Sequence, residues 1–434
     1  MTKAGGERNG LTNRRLVPFL SGYALGNTGD MFAQVAVLWT GLSLSGQAIS
    51  LAGLGGAWTL ANAVASLFSG AIVDRFNRRS LLIWFHAALA AISLALFAVA
   101  RTGHLQMWHL WAYLVGQAVF ANPAETAFDS ILPDLVHKNR LVRINGLLQS
   151  WGMSDNLIEA AVAGVVLGVW GPAPIFLFNG LMCLFASAGA LFVPKAAGVA
   201  RASHEAGGWQ PWSDLKLTLR YVVREQLLRR TILLGVVTSM VFGCLFFMPP
   251  LVSSALGWGS EGYGFLQSLT LGGVLAGSLL AASVGTRWPK LKMWVGGHVL
   301  YGVGFLALGI FLHWELALAA LAAYLAFFLF GLGCTGGRVY YASLFQQMLP
   351  SAHRGRVFGI SGFIGSAFQP LALAVAMLFV DRSGVGLVLL GLGAVTLLLS
   401  AVRVGLLPMR EADWVLSAPP DATEPSATEP SATD

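Results

Sequence analysis

Long runs of apolar residues recur along almost the whole chain and are separated by short polar breaks. A run of about 20 apolar residues is long enough to cross a bilayer as a helix. The runs predict an all-α polytopic membrane protein with about twelve transmembrane helices. The predicted helices in the first half are 17–42, 47–72, 80–100, 106–130, 143–169 and 173–194. Those in the second half are 231–256, 263–286, 291–312, 316–344, 357–380 and 384–407.

The composition supports a membrane location over a soluble fold. Of the 434 residues, 56% are hydrophobic and only 11% are charged. A soluble globular protein carries about 25% charged residues. The three cysteines all lie in predicted helices, so we do not expect a disulfide framework.

Positive charge is concentrated in alternate loops. If residue 1 is cytoplasmic, 24 of the 27 Lys and Arg residues lie on the cytoplasmic side, including Arg403 near the end of the last helix. Cytoplasmic loops of membrane proteins carry this excess of basic residues. We therefore expect a multi-pass protein of the bacterial inner (plasma) membrane with both termini in the cytoplasm. The same distribution explains the net charge of +7 without a nucleic-acid partner.

Composition shifts divide the chain into five predicted regions. They are a cytoplasmic segment (1–16), a six-helix bundle (17–194), a cytoplasmic linker (195–230), a second six-helix bundle (231–407) and a disordered acidic tail (408–434). The linker contains a predicted amphipathic helix that either lies on the inner membrane surface or is solvated on all sides. Segment 74–78 aligns with segment 286–290, and segment 140–146 aligns with segment 356–362. The two matches together indicate a duplicated six-helix unit of the kind found in transporters.

A charged motif separates the second and third predicted helices. It runs Gly70-x-x-x-Asp74-Arg75-x-x-Arg78-Arg79 and resembles motif A of the major facilitator superfamily. Within that superfamily the chain is similar to the drug-exporter branch that includes macrolide-efflux proteins and the enterobactin exporter. The segments 29–30, 122–124 and 132–136 contribute to this similarity.

The resemblance implies two pseudo-symmetric six-helix bundles and proton antiport through inward- and outward-facing states. It also implies a cytoplasmic gate in which Asp74 faces the N-terminal end of helix eleven near Arg356, and Arg78 or Arg79 pairs with Asp129. The expected gate residues are Gly70, Asp74, Arg75, Arg78, Arg79, Asp129 and Arg356.

Two departures from the family pattern affect what the resemblance implies. Thr286 stands where a second-half copy of the motif would have Asp. Glu159-Ala160 replaces a Gly-Pro pair that is usual in antiporters. The missing Gly-Pro pair weakens the argument for antiport by analogy, but the new carboxylate could itself carry a proton.

Four polar residues form one stripe on the first helix. Tyr23, Asn27, Asp30 and Gln34 are spaced by four, three and four residues, so they share a helix face. A charged side chain near the bilayer centre costs at least about 2.5–3.5 kcal/mol. We therefore expect the stripe to line a water-filled or ligand-filled cavity. The alternative is a cluster of hydrogen bonds between helices.

Further charges lie within predicted helices. Asp155 and Glu159 are four residues apart, so they share a face, and two adjacent carboxylates do not both ionise easily in a low dielectric. We expect Asp30 and Glu159 to exchange protons with the two sides of the membrane. The alternative is a structural role beside Arg338 or an amide.

Arg338 lies on a helix face with Tyr341. It could pair with Glu125, bind an anionic group of the substrate, or extend to the inner interface. Gly331-x-Gly333-x-x-Gly336 matches a dinucleotide-binding pattern but lies inside an apolar helix, so we reject that function.

The sequence thus predicts a transporter and not an enzyme, with no cofactor and no metal. We expect export of a small amphipathic or cationic molecule by proton antiport. The alternatives are a dedicated siderophore or metabolite exporter and an uncoupled facilitator. The expected partners are the substrate, protons and the lipid bilayer, with no nucleic acid, and we expect a monomer.

Overall fold

A computed structural model describes residues 13–136, 144, 148, 158–194, 224–284, 289–348 and 351–407. In this part of the chain every regular element is a helix and there is no strand. The first-half helices are α1 (Asn13–Ser45), α2 (Ile49–Arg75), α3 (Arg78–Arg101), α4 (Met107–Leu135), α5 (Ile158–Trp170) and α6 (Ala173–Ala190). The second-half helices are α7 (Gln226–Phe246), α8 (Met248–Ala255), α9 (Gly259–Val284), α10 (Lys290–His313), α11 (Ala319–Met348) and α12 (Ser351–Leu406).

Glycines and prolines interrupt the helices close to the predicted breaks. α12 is broken at Gly384, whose φ of 83° is a left-handed conformation that glycine adopts without strain. The break falls where the sequence predicts the boundary between the last two helices. The predicted helix 231–256 instead forms α7 and α8, because Pro249 and Pro250 have no backbone N–H to continue the helix.

Six of the described helices are long and apolar enough to cross a membrane by themselves, and α5 is a shorter apolar helix. Large apolar side chains point away from the protein, among them Trp84 and Leu398, which are 72% and 64% exposed. An aqueous solvent would penalise such surfaces, whereas lipid does not. The predicted all-α polytopic fold is confirmed.

Small residues allow the helices within each half to approach closely. A Cβ added at Gly22 on α1 would lie 2.8 Å from a backbone oxygen of α6, at Phe185. Gly273 and Gly277 of α9 lie even closer to the backbone of α11, as their four-residue spacing predicts. The helices of each half therefore pack mainly on one another.

The short turns define two ends of the molecule. The turn at Gly46 between α1 and α2 lies at one end, here called the Gly46 end, and the α2–α3 turn at Asn77 lies at the other, the Asn77 end. The two halves meet along α2 and α12, where Gly55 contacts Leu373. They meet again where α5 crosses α9, and where Trp39 stacks on Tyr263 with ring centroids 6.0 Å apart. These contacts all lie nearer the Gly46 end.

Candidate functional site

A polar cavity of about 420 Å³ lies within the first half of the molecule. Its walls come from α1, α2, α3 and α4, together with Leu148, and among the described residues none from the second half lines it. The polar and aromatic lining residues are Tyr23, Asn27, Thr28, Asp30, Gln34, Trp58, Asn62, His86, Gln117, Asn122 and Glu125.

The predicted stripe on α1 faces this cavity. Tyr23, Asn27, Asp30 and Gln34 all line it, and Asp30 stands near the middle of α1. Tyr23 also stacks on Phe128 of α4, with ring centroids 3.5 Å apart. The structure thus brings the whole stripe to one cavity wall.

Neutral amides hold the carboxylate of Asp30. Its Oδ1 accepts hydrogen bonds from Gln117 Nε2 at 2.8 Å and from Asn179 Nδ2 at 3.0 Å. Asn179 is oriented in turn by Ser93, whose hydroxyl donates to the amide oxygen. Gly29 makes room for this arrangement, because a Cβ there would lie only 3.0 Å from Asn179 Cα. Asp30 is therefore fixed in position by donors that carry no charge.

α4 carries two further carboxylates, Glu125 and Asp129, one helical turn apart. Glu125 lines the cavity, whereas Asp129 does not, and both side chains are exposed. No Lys or Arg is among the described lining residues. The cavity therefore combines two acidic groups, Asp30 and Glu125, with amides and aromatic rings, which are the groups that bind an amphipathic cation.

The other predicted cavity residues lie elsewhere or outside the described part of the chain. Glu159 is buried on α5, 2% exposed, and does not line the cavity. Tyr341 packs against Trp294 in the second half, with ring centroids 4.9 Å apart. Asp155 and the side chain of Arg338 lie outside the described residues.

The motif A residues occupy the Asn77 end of the first half. Gly70 and Arg75 are exposed near the end of α2, and Asn77 caps α3 by accepting from the Ser80 N–H at 3.2 Å. Arg78 Nη1 donates to the Ser130 carbonyl at 3.1 Å, next to Asp129, and so ties α3 to α4.

Arg79 Nη2 donates to the Leu191 carbonyl at 3.1 Å, just beyond the end of α6. Asp74 lies in the last two turns of α2 and Arg356 in the second turn of α12, but the side chains of both lie outside the described residues.

Sequence analysis missed several amides of the site. Gln117, Asn179, Asn62 and Asn122 all lie in apolar helices, and Asn122 donates to Asn62 across α4 and α2 at 2.6 Å. The sequence does contain a signal for these amides, because an amide in a transmembrane helix needs a polar partner just as a charge does.

The burial of Arg403 was not predicted from the sequence. Arg403 stands in the last turn of α12, and its side chain is 0% exposed inside the second half. The guanidinium lies 4.6 Å from the centroid of the Trp294 ring, and Nη2 donates to the Leu234 carbonyl at 3.4 Å. Position near a helix end does not reveal burial, because neighbouring helices decide which face is covered.

No group of three or more His, Cys, Asp or Glu residues that could hold a metal ion occurs among the residues that the structure describes. The lining of the cavity instead suits an organic ligand.

Comparison with known proteins assigns the family. The Major Facilitator Superfamily profile matches residues 18–373. Macrolide efflux protein A of Streptococcus pyogenes is 24% identical over 377 residues, which cover 84% of this chain and 89% of that protein. Multidrug efflux pump Tap of Mycolicibacterium fortuitum is 24% identical over 400 residues, covering 89% and 94%.

Solved transporter structures share the fold. The nucleoside transporter NupG superposes with a TM-score of 0.70 at 11% identity, over 91% of this chain and 99% of that one. A D-xylose-proton symporter gives a TM-score of 0.64 at 16% identity, over 92% and 98%. At these identities the likeness shows the architecture alone. The helical architecture, motif A and the profile match together show that the chain belongs to the major facilitator superfamily and is a membrane transporter, not an enzyme.

Proposed function

We propose that the chain exports a small amphipathic or cationic molecule by proton antiport, with the two bundles at 17–194 and 231–407 exposing the cavity to each side in turn. The observation that carries this proposal is the cavity itself. It contains Asp30 and Glu125 and no described basic residue. The similarity to a macrolide efflux protein and a multidrug efflux pump supports the direction and the substrate class.

The contacts between the halves support an inward-facing state. The named contacts lie nearer the Gly46 end, whereas Glu125 lies toward the Asn77 end. The basic residues of the α2–α3 turn support a cytoplasmic position of the Asn77 end, in line with the positive-inside rule. A substrate would then enter from the cytoplasm and leave after the Gly46 end opens.

We assign different roles to the acidic residues. Asp30, held by two amides near the middle of α1, is suited to take up a proton when the cavity faces outward. Glu159, buried on α5 where this helix approaches the second half, is the second proposed proton carrier. Glu125 is exposed in the cavity and is suited to contact the cationic group of the substrate.

The test uses inverted membrane vesicles that contain the full chain, energised by a proton gradient, with ethidium and erythromycin as probes. We expect uptake that an uncoupler abolishes. Glu125→Gln should lower the apparent affinity for ethidium by about 10-fold or more, because a partly desolvated ionic contact is worth about 1.5–3 kcal/mol. The matched control is Glu315→Gln, which removes a carboxylate from an exposed turn distant from the cavity.

Uptake that persists with the uncoupler would contradict proton coupling and favour a facilitator. Transport of an anionic siderophore, with no transport of either cationic probe, would contradict the proposed substrate class.

A further inference from the structure

A carboxylate of the second half caps a helix of the first half. Asp381 on α12 accepts the backbone N–H of Ala48 through Oδ1 at 2.7 Å, and that of Ile49 through Oδ2 at 3.0 Å. These N–H groups stand at the start of α2 and have no acceptor within their own helix. The two hydrogen bonds join positions more than 330 residues apart in sequence.

The local sequence leaves the start of α2 without a cap. Its N-cap residue is Ala48, whose side chain cannot accept a hydrogen bond. The nearby Ser45 and Ser50 hydroxyls bond to carbonyl oxygens of the α1–α2 turn. Asp381 therefore supplies the acceptor that other helices obtain from an adjacent Ser, Thr, Asp or Asn.

The position of Asp381 is unfavourable in its own helix. It stands three residues before the break at Gly384, in the last turn of the first segment of α12. A negative charge at a helix C-terminus opposes the helix dipole, whereas one at an N-terminus is stabilised by it. Nothing within α12 favours an acid at this position. The contact with the start of α2 gives a physical reason for one.

The two helices are antiparallel and share a continuous register. Ala48 lies beside Asp381, Gly55 beside Leu373, and a Cβ at Gly56 would lie 3.5 Å from Pro370. On α2, Asp74 stands eighteen residues after Gly56. On α12, residue 352 in the first turn stands eighteen residues before Pro370. Asp74 is therefore level with the N-terminus of α12, as Asp381 is level with that of α2.

We propose that Asp381 is a gate residue that holds the Gly46 end closed, as the counterpart of Asp74 at the Asn77 end. Each of the two helices carries an acid near the end of its span and offers its own N-terminus to the acid of the other. The contact at Asp381 is made when the Gly46 end is closed and is broken when that end opens. This inference rests on the proposed alternation of the two halves.

The test measures the distance between the halves in the full chain, reconstituted in lipid nanodiscs without substrate. Spin labels are placed at Thr102 and Leu318, which are exposed in Gly46-end turns of different halves, after the three native cysteines are replaced. Asp381→Ala should lower the ratio of short to long distances by about 2- to 30-fold, the range that loss of a helix-capping acceptor produces. Asp381→Asn keeps one acceptor oxygen but loses the charge, so it should lower the ratio less.

The control is Glu315→Gln, which removes one negative charge from the same end of the molecule, where the structure describes no side-chain hydrogen bond for this residue. We expect its distance distribution to match that of the parent. An unchanged distribution in the Asp381→Ala variant would overturn the proposal, and so would an equal shift in the control. Failure of the chain to export ethidium would contradict the proposed function and leave the distance result interpretable, because the measurement needs no substrate.

Discussion

A steric change at the crossing of α5 and α9 should open the Gly46 end. Gly164 of α5 and Gly264 of α9 face each other across the boundary between the halves. A Cβ added at Gly164 would lie 2.6 Å from the Ser260 carbonyl oxygen and 2.9 Å from Gly264 Cα. Ser260 and Gly264 belong to backbone that cannot rotate away, so Gly164→Ala requires the two helices to separate.

The magnitude follows from these distances. Ordinary contact begins near 3.4 Å, so the helices must move apart by about 0.8 Å, the difference from 2.6 Å. Overpacking of this kind costs about 1–3 kcal/mol. If the penalty applies only while the Gly46 end is closed, the ratio of closed to open molecules falls by about 5- to 150-fold.

The assay is the distance distribution between spin labels at Thr102 and Leu318, recorded with and without ethidium. The matched control is Gly296→Ala on α10, where an added Cβ would meet nothing within 4 Å. Both variants replace a helical glycine with alanine, so both gain the same helix propensity. Only Gly164→Ala should lengthen the distance.

A Gly164→Ala variant that is folded and monodisperse but keeps the parental distances would refute the reasoning. It would mean that the close approach of α5 and α9 is not what distinguishes the closed state. A comparable change in Gly296→Ala would assign the effect to helix propensity and not to contact between the halves.

Two further predictions concern buried polar groups. Asn179→Leu removes the 3.0 Å donor to Asp30, and we expect the ethidium transport rate to fall by about 10- to 100-fold in the vesicle assay, since a hydrogen bond to a carboxylate is worth about 1.5–3 kcal/mol. Cys183→Ala, at another buried position on α6, removes only the long 3.6 Å contact of the thiol with the Asn179 amide oxygen and should keep that rate within about 2-fold, and an equal loss in both variants would contradict a specific role for the amide. Trp294→Leu removes the ring beneath the Arg403 guanidinium. A double-mutant cycle with Arg403→Met, measured by unfolding in mixed micelles, should give a coupling energy of about 2 kcal/mol, and a coupling near zero would contradict a cation–π contact.

The helices and the stripe on α1 could be predicted because their causes are local. A run of apolar residues has to be helical in lipid, where each backbone N–H and C=O must find a partner within the segment. The spacing of Tyr23, Asn27, Asp30 and Gln34 likewise determines a shared face, whatever the neighbouring helices do. All four residues line the cavity as predicted.

The partners of these residues could not be predicted in the same way. Asp30 bonds to amides 87 and 149 residues away, and Asp381 caps a helix 333 residues away. Glu159 and Tyr341 were expected in the cavity because they are polar, but polarity does not reveal which neighbour a helix face meets. The burial of Arg403 could not be predicted for the same reason.

The sequence by itself determined that this chain crosses the membrane many times as helices and that a carboxylate stands near the middle of α1. Only the tertiary structure decided that neutral amides hold that carboxylate, that Arg403 is enclosed beside Trp294, and that Asp381 supplies the missing cap of α2. The physical reason is the distance along the chain over which each effect acts. Hydropathy and helical period act over a few turns, whereas these contacts depend on how separate helices are brought together.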